Sequence, residues 1–212
     1  MLKRGLFINF EGIDGSGTSS HTHLLEKRIE ALNKYQDVIR THEPWNSVEL
    51  KDRLEKDREI YTNPLTMAEL FIEDRARHTQ KLIRPNIEAG VVVLNSRYKM
   101  STCAYQWAQG AQIHELLKRH EHFGLLNPDL TFFLDVPISV ARKRITTSRR
   151  KRELFERDVV FVNKLVNAYN SLVHISEVDP SVFGRVIRIN GNRNIDDVSS
   201  DIFKEFLKTY KK

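Results

Sequence analysis

The chain has 212 residues, 34 lysines and arginines against 28 aspartates and glutamates, and a net charge of +6. That length suits one ordinary domain with a sizeable core, and 40% hydrophobic with 29% charged residues is a globular composition, not a disordered one. No apolar run is long enough to span a bilayer, the N-terminus lacks a cleavable signal pattern, and a single Cys103 excludes an internal disulfide, so a reducing cytoplasm is expected.

In chain order, strands and helices alternate. Leu6 to Phe10 predicts a buried strand, and Thr18 to Asn33 a helix with Leu24, Leu25, Ile29 and Leu32 on one face. Asp37 to Thr41 predicts a second strand, followed by the loop His42-Glu43-Pro44-Trp45. A charged helix is expected over 48–56, then a long one from Pro64 towards Glu88 with Met67, Leu70, Phe71, Leu82 and Ile83 as its apolar side. Val91 to Leu94 is continuous and mostly β-branched, the pattern of a parallel strand buried on both faces. Helices are expected at 101–107 and 113–120 and a strand at 130–135. A further helix begins at 140–145, is interrupted by basic residues and resumes over 153–172. A strand at 186–189 and a helix at 195–210 close the chain. The expected fold is a doubly wound α/β sheet of five parallel strands flanked by helices, in one domain over 1–212.

Between the first strand and the first helix lies Phe10-Glu11-Gly12-Ile13-Asp14-Gly15-Ser16-Gly17-Thr18-Ser19-Ser20. Glycines let backbone N–H groups approach an anion, and a helix N-terminus favours negative charge there. The spacing Gly12…Gly17-x-Ser19 fits a nucleotide-binding phosphate loop at every fixed place but one: Thr18 stands where the lysine belongs. Gly12, Ile13, Asp14, Gly15, Ser16, Gly17, Thr18, Ser19 and Ser20 are therefore the candidate ATP-binding residues, and the Ser19 hydroxyl is the candidate magnesium ligand.

Ligands of open α/β sheets sit beyond the carboxyl ends of the strands. Besides the loop, those ends carry His42-Glu43-Pro44, Asn95-Ser96-Arg97-Tyr98 and Asp135-Val136-Pro137, and the long helix adds Leu70-Phe71…Asp74-Arg75…His78. With Ser101…Ala104-Tyr105-Gln106 and Pro128-Asp129…Leu134-Asp135-Val136, these pieces occur in one order from Phe10 to about Tyr169. In that order the chain resembles the thymidylate kinases, enzymes that pass the γ-phosphoryl of ATP to dTMP. The resemblance implies a P-loop kinase fold with a short basic lid at about 144–153, ATP and dTMP as small-molecule partners, Mg2+ as cofactor and a homodimer through the long helices.

It also implies roles. Asp14 matches an acidic loop residue near the acceptor sugar and metal. Phe71 matches a ring stacked on thymine, and Arg75 an arginine that reads the base edge. The plain alternatives are a core phenylalanine and a surface helix arginine. Arg97 matches the clamp on the acceptor phosphate, while Glu43, Ser101, Tyr105 and Gln106 match residues around the base and sugar. The phosphate loop carries no arginine, so a lid arginine would supply transition-state charge, with Arg144, Arg149, Arg150 and Arg152 as candidates and Arg149 and Arg150 preferred. The cations over 142–157 have little aromatic interleaving, which speaks against nucleic-acid binding.

Three residues depart from the family pattern: Thr18 for the loop lysine, Ser96 for an aspartate before the clamp arginine, and His42 for an arginine in Thr-His-Glu-Pro. Lys99 and the lid arginines are candidates to restore the positive charge. The departures leave open a different or broader acceptor, such as dUMP, and a nucleotide-binding protein that has lost catalysis.

Overall fold

The computed structural model describes residues 4–46, 48–56, 63–147 and 158–210. Five parallel strands form one sheet in the order β2-β3-β1-β4-β5: β1 Phe7–Glu11, β2 Val38–His42, β3 Val92–Ser96, β4 Leu130–Asp135 and β5 Val186–Asn190. All residues of β1 and β3 are buried, as are those of β4 up to Leu134, whereas the edge strands β2 and β5 are partly exposed. This is the expected doubly wound α/β sheet. Continuous apolar runs belong to strands with helices on both faces.

The helices are α1 Thr18–Leu32, α2 Val48–Lys56, α3 Pro64–His78, α4 Arg84–Glu88, α5 Lys99–Ala108, α6 Ile113–His122, α7 Ile138–Thr147, α8 Val159–Val178 and α9 Ile195–Tyr210. One face of the sheet packs on α1 and α9 through Ile8, Phe10, Leu25, Ile29, Phe132, Ile202 and Phe206. The other packs on α3, α5 and α8 through Met67, Ile72, Cys103, Phe133, Leu165 and Leu172. The chain leaves β1 towards β2 on one side and β4 towards β5 on the other, so the carboxyl end of β1 is a switch point. Backbone bonds carry the register past that edge: Arg97 N–H donates to the Phe10 carbonyl (2.9 Å) and Glu43 N–H to the Ser96 carbonyl (3.0 Å).

Three elements differ from expectation. The helix expected over 153–172 begins, among the described residues, at Val159 with Asp158 as its cap, and runs on to Val178. The helix from Pro64 to Glu88 is continuous but widens to a π-helical turn over Thr79–Ile83. Pro85 has no N–H to give, and its ring crowds the carbonyl four residues back, so the wider turn just before it relieves both problems. In α1 the buried side chains are Thr18, His21, Thr22, Leu25 and Ile29, while Leu24 is half-buried and Leu32 is 48% exposed. The stripe is rotated so that the first turn of the helix faces the glycine loop.

Candidate active site

Gly17 caps α1 in the left-handed conformation with no side-chain cap, leaving the first-turn amides pointing out of the loop. Gly15 requires glycine twice over: φ is +80°, and a Cβ there would stand 2.4 Å from the Ala141 carbonyl oxygen of α7. The loop is thereby pressed against α7. Asp14, Gly15, Ser16, Gly17, Thr18, Ser19 and Ser20 all line a cleft of about 910 Å³. The side chain of Ile13 instead faces the core, and the Gly12 carbonyl accepts from Arg97 beneath the cleft. Both bear on the cleft only through the backbone they supply.

Arg97 and Asp14 meet above that loop. Arg97 has φ +72°, in the left-handed region that a β-carbon disfavours. Its guanidinium donates to the Gly12 carbonyl, to the Tyr169 hydroxyl (3.0 Å) and to Asp14 Oδ1 (2.5 Å). Asp14 Oδ2 accepts from the Tyr105 hydroxyl (2.9 Å), and the guanidinium lies 5.9 Å from the Tyr105 ring centre. Burial alone would lower the Arg97 pKa, but Tyr105, Asp14, Tyr169 and Glu11 more than offset that and hold it above its ordinary value. Burial, then Asp14, pushes the Tyr105 phenol well up. Arg97 is thus a fixed cation in this cleft.

Beneath it is Glu11, fully buried at the end of β1. Its carboxylate accepts from Asn9 Nδ2 (3.1 Å), the Tyr98 and Ser101 amides (2.8 and 3.3 Å), the Ser101 hydroxyl (2.5 Å) and the Tyr169 hydroxyl (3.3 Å). Burial raises its pKa, and these donors with Arg97 act against that. Glu11 ties the start of α5 to β1 and so fixes the turn that carries Arg97.

Phe71, Arg75, Ser101, Tyr105, Gln106 and Glu43 line the far end of the same cleft. Ser101 and Tyr105 share one face of α5, four residues apart, and both are half-buried. Gln106 is buried with Oε1 unpartnered. Phe71 is partly buried against the core and also reaches the cleft. Arg75 is not the surface arginine of the plain alternative, being 1% exposed. It pairs with Glu43 (2.7 and 2.8 Å), donates to Thr102 Oγ1 (2.9 Å) and meets His120 Nε2 (2.9 Å). Glu43 also accepts from His78 Nδ1 (3.2 Å), and Asp74 holds the Trp45 and Asn46 amides (2.5 and 3.0 Å). The loop after β2 is locked onto α3 by these bonds.

The thymidylate kinase family model matches residues 10–202 of this chain. The chain belongs to the thymidylate kinase family. It is 36% identical over 212 residues to the thymidylate kinase of Desulfotalea psychrophila, with 96% of each chain covered. It is 31% identical over 211 residues to that of Staphylococcus epidermidis, covering 97% of this chain and 98% of the relative. Against the probable thymidylate kinase of Thermococcus gammatolerans it is 32% identical over 207 residues, covering 93% and 94%.

Thr18, Ser96 and His42, singled out in the sequence, have structural settings. Thr18 is buried at the loop, and Ser96 and His42 line the cleft. Burial, Lys51 and His78 lower the His42 pKa, so the ring in the cleft is neutral near pH 7. The expectation that Lys99 restores charge is corrected. Its ammonium donates to the Val182 carbonyl (2.5 Å), lies 5.5 Å from the Phe183 ring centre, and faces away from the cleft. Positions 97 and 99 are two residues apart across a helix start, and side chains so spaced do not share a face. Arg144 of α7 is the cation seated on the loop: Nη2 donates to the Gly191 carbonyl (2.8 Å) and Nη1 reaches the Ser16 carbonyl (3.4 Å). Arg149, Arg150 and Arg152, with most of the expected lid, lie outside the described residues.

Sequence reasoning gave no role to Glu11, Tyr169, Thr102 or His120. Glu11 stands inside the quoted loop string, and an acidic residue ending a mostly apolar strand is its signal. Thr102 follows Ser101 on α5 and reads as an ordinary helix residue, and Tyr169 and His120 come from other helices and carry no signal. His120 brings a pH dependence. Its Nδ1–H donates to the Leu116 carbonyl (2.7 Å), so Nε2 accepts from Arg75, and burial with Arg75 holds the pKa well below 6.5. The unfolded chain takes up this proton first, so stability is lost as pH falls below about 6.5. His21, pushed down to about 4 by burial and Arg144, adds in the same direction. Urea midpoints at pH 7.5 and 5.5 should show the acid loss, and His120→Gln, which keeps an acceptor for Arg75 without titrating, should narrow it.

Proposed function

We infer that this chain transfers the γ-phosphoryl group of ATP to the 5′-phosphate of dTMP, giving ADP and dTDP. One observation carries the reading. A single cleft runs from the phosphate loop and Arg144 at one end to Phe71, Arg75, Arg97, Ser101, Tyr105 and Gln106 at the other. Donor and acceptor bound from its two ends would bring their phosphates together between the loop and Arg97. Such transfer asks little covalent work of the protein and depends on positioning and summed electrostatics.

In this reading the loop amides from Asp14 to Ser19, apart from that of Ser16, which donates to the Ile13 carbonyl (3.0 Å), hold the donor phosphates, and Arg144 neutralises charge from the α7 side. Arg149 and Arg150 of the lid add transition-state charge. Arg97, already oriented by Asp14, Gly12 and Tyr169, exchanges part of these contacts for the acceptor phosphate. Phe71 stacks on the thymine, Arg75 reads its edge, and Tyr105 lies beneath the deoxyribose, where a 2′-hydroxyl would clash. Ser19, exposed in the cleft, and Asp14 suit Mg2+, which takes one or two protein oxygens and completes its shell with phosphates and water. When bound, it neutralises β/γ charge. We place the enzyme in the cytoplasm, in keeping with its one free, buried Cys103. No helix among the described residues is long and apolar enough to cross a membrane. The homodimer is proposed from the family, and sedimentation of twice the 24.8 kDa chain mass would support it.

Neutral His42 in the cleft favours one further reading, a broader acceptor range that includes dUMP. ADP release with ATP and Mg2+ should be measured against dTMP, dUMP, dCMP and dGMP. The expected order puts dTMP first. Faster turnover of another acceptor would move the specificity and leave the chemistry. In the same assay Arg144→Ala should raise the KM for ATP roughly tenfold, as for loss of one hydrogen bond between charged groups, with the KM for dTMP little changed.

A further inference from the structure

The donor end of the cleft holds a side chain with no task in the transfer described above. His21 lies in the first turn of α1, four residues after Gly17; it is 6% exposed and lines the cleft. Its Nδ1 is buried with no hydrogen-bond partner. Its other edge faces the phosphate loop: a Cβ built on Gly17 would stand 3.4 Å from Cδ2 and 3.7 Å from Nε2. These positions decide the tautomer. A buried N–H without an acceptor is rarer and costlier than an unused lone pair, so the hydrogen belongs on Nε2 and the lone pair on Nδ1. Charging the ring would add an N–H at the buried Nδ1 and a second cation beside Arg144. Burial and Arg144 accordingly hold its pKa at about 4. The ring therefore presents a neutral donor to the space above Gly17, where the first-turn amides point.

We propose that His21 donates its Nε2–H to a phosphate oxygen of the donor nucleotide, as part of what this loop uses in place of the lysine absent at Thr18. The proposal rests on the kinase reading only for the identity of that nucleotide. It explains why a polar ring is kept buried with one nitrogen unpaired: the unpaired atom is the cost of aiming the other at the ligand. A purely structural residue at this position would be better served by an apolar side chain.

The test compares His21→Phe, which keeps a ring and removes the donor, with His21→Gln, which supplies an amide donor. Affinities for Mg2+–ATP and for inorganic tripolyphosphate are read by titration calorimetry, and melting temperatures by scanning calorimetry. The expected result is about tenfold weaker binding of both ligands by His21→Phe, with no fall in melting temperature, and recovery of most of the affinity by His21→Gln. Unchanged affinity in His21→Phe overturns the proposal. So does ATP binding that weakens while tripolyphosphate binding is unaffected or undetectable in the parent chain, which would move the contact to sugar or base. Equal losses in both variants with lowered melting temperatures would assign His21 a structural role. A parent chain that binds ATP and forms no ADP with dTMP would defeat the kinase reading without touching this one.

Discussion

Replacing Arg97 by alanine lowers kcat/KM for dTMP by roughly 10³-fold, the scale of removing a preorganised electrostatic contact from a phosphoryl-transfer site. Arg97 is held before any ligand arrives, in a left-handed backbone conformation and with bonds to Gly12, Asp14 and Tyr169. Its removal takes away the fixed cation and leaves Asp14 facing the acceptor phosphate with like charge. Arg97→Lys restores only part of the loss, because an ammonium cannot reproduce the planar fork that reaches Gly12, Tyr169 and Asp14 together. Steady-state kinetics on both variants, with ATP and dTMP varied in turn, check this. A loss confined to the KM for ATP would contradict it.

Arg75→Ala destabilises the fold by about 3–5 kcal/mol, the range for breaking a buried ion pair and leaving one charge behind. Arg75 and Glu43 are 1% and 3% exposed at the side chain, and truncation takes the arginine partner from Glu43 Oε2, Thr102 Oγ1 and His120 Nε2 together, leaving the Glu43 charge with only His78 beside it. The effect should appear as a shifted urea midpoint in the absence of any nucleotide. Glu43→Ala should cost a similar amount, and the double variant less than the sum, since the two share one interaction. Additive losses would show that the pair is not coupled.

The sheet and the phosphate loop were legible in the sequence because both depend on local rules. Apolar runs such as Val92 to Leu94 declare buried strands, and the glycines at 12, 15 and 17 declare a backbone in the positive-φ region that other residues rarely adopt. Arg97, Ser101 and Tyr105 were legible as a strand end followed by one helix face. What was not legible depends on partners remote in the chain. Glu11 becomes a hub only when Tyr169, 158 residues away, arrives on α8. Arg75 reads the same in sequence whether it lies on a surface or in a network with Glu43 and His120. Lys99 is near Arg97 in sequence but not in space, because the helix start turns it towards Val182. The first turn of α1 misled for a related reason: its polar His21 and Thr22 are buried against the loop, and periodicity alone favoured Leu24 and Leu32.

This phosphate loop, with Thr18 in the lysine's place, is expected to carry phosphoryl transfer to dTMP. The most direct test is to incubate the chain with Mg2+ and ATP labelled in the γ-phosphoryl group, add dTMP, and separate the products. The label is expected in dTDP, in step with ADP, and to vanish from dTDP in Arg97→Ala. Label that stays in ATP, or appears only as free phosphate whether or not dTMP is present, would contradict the account.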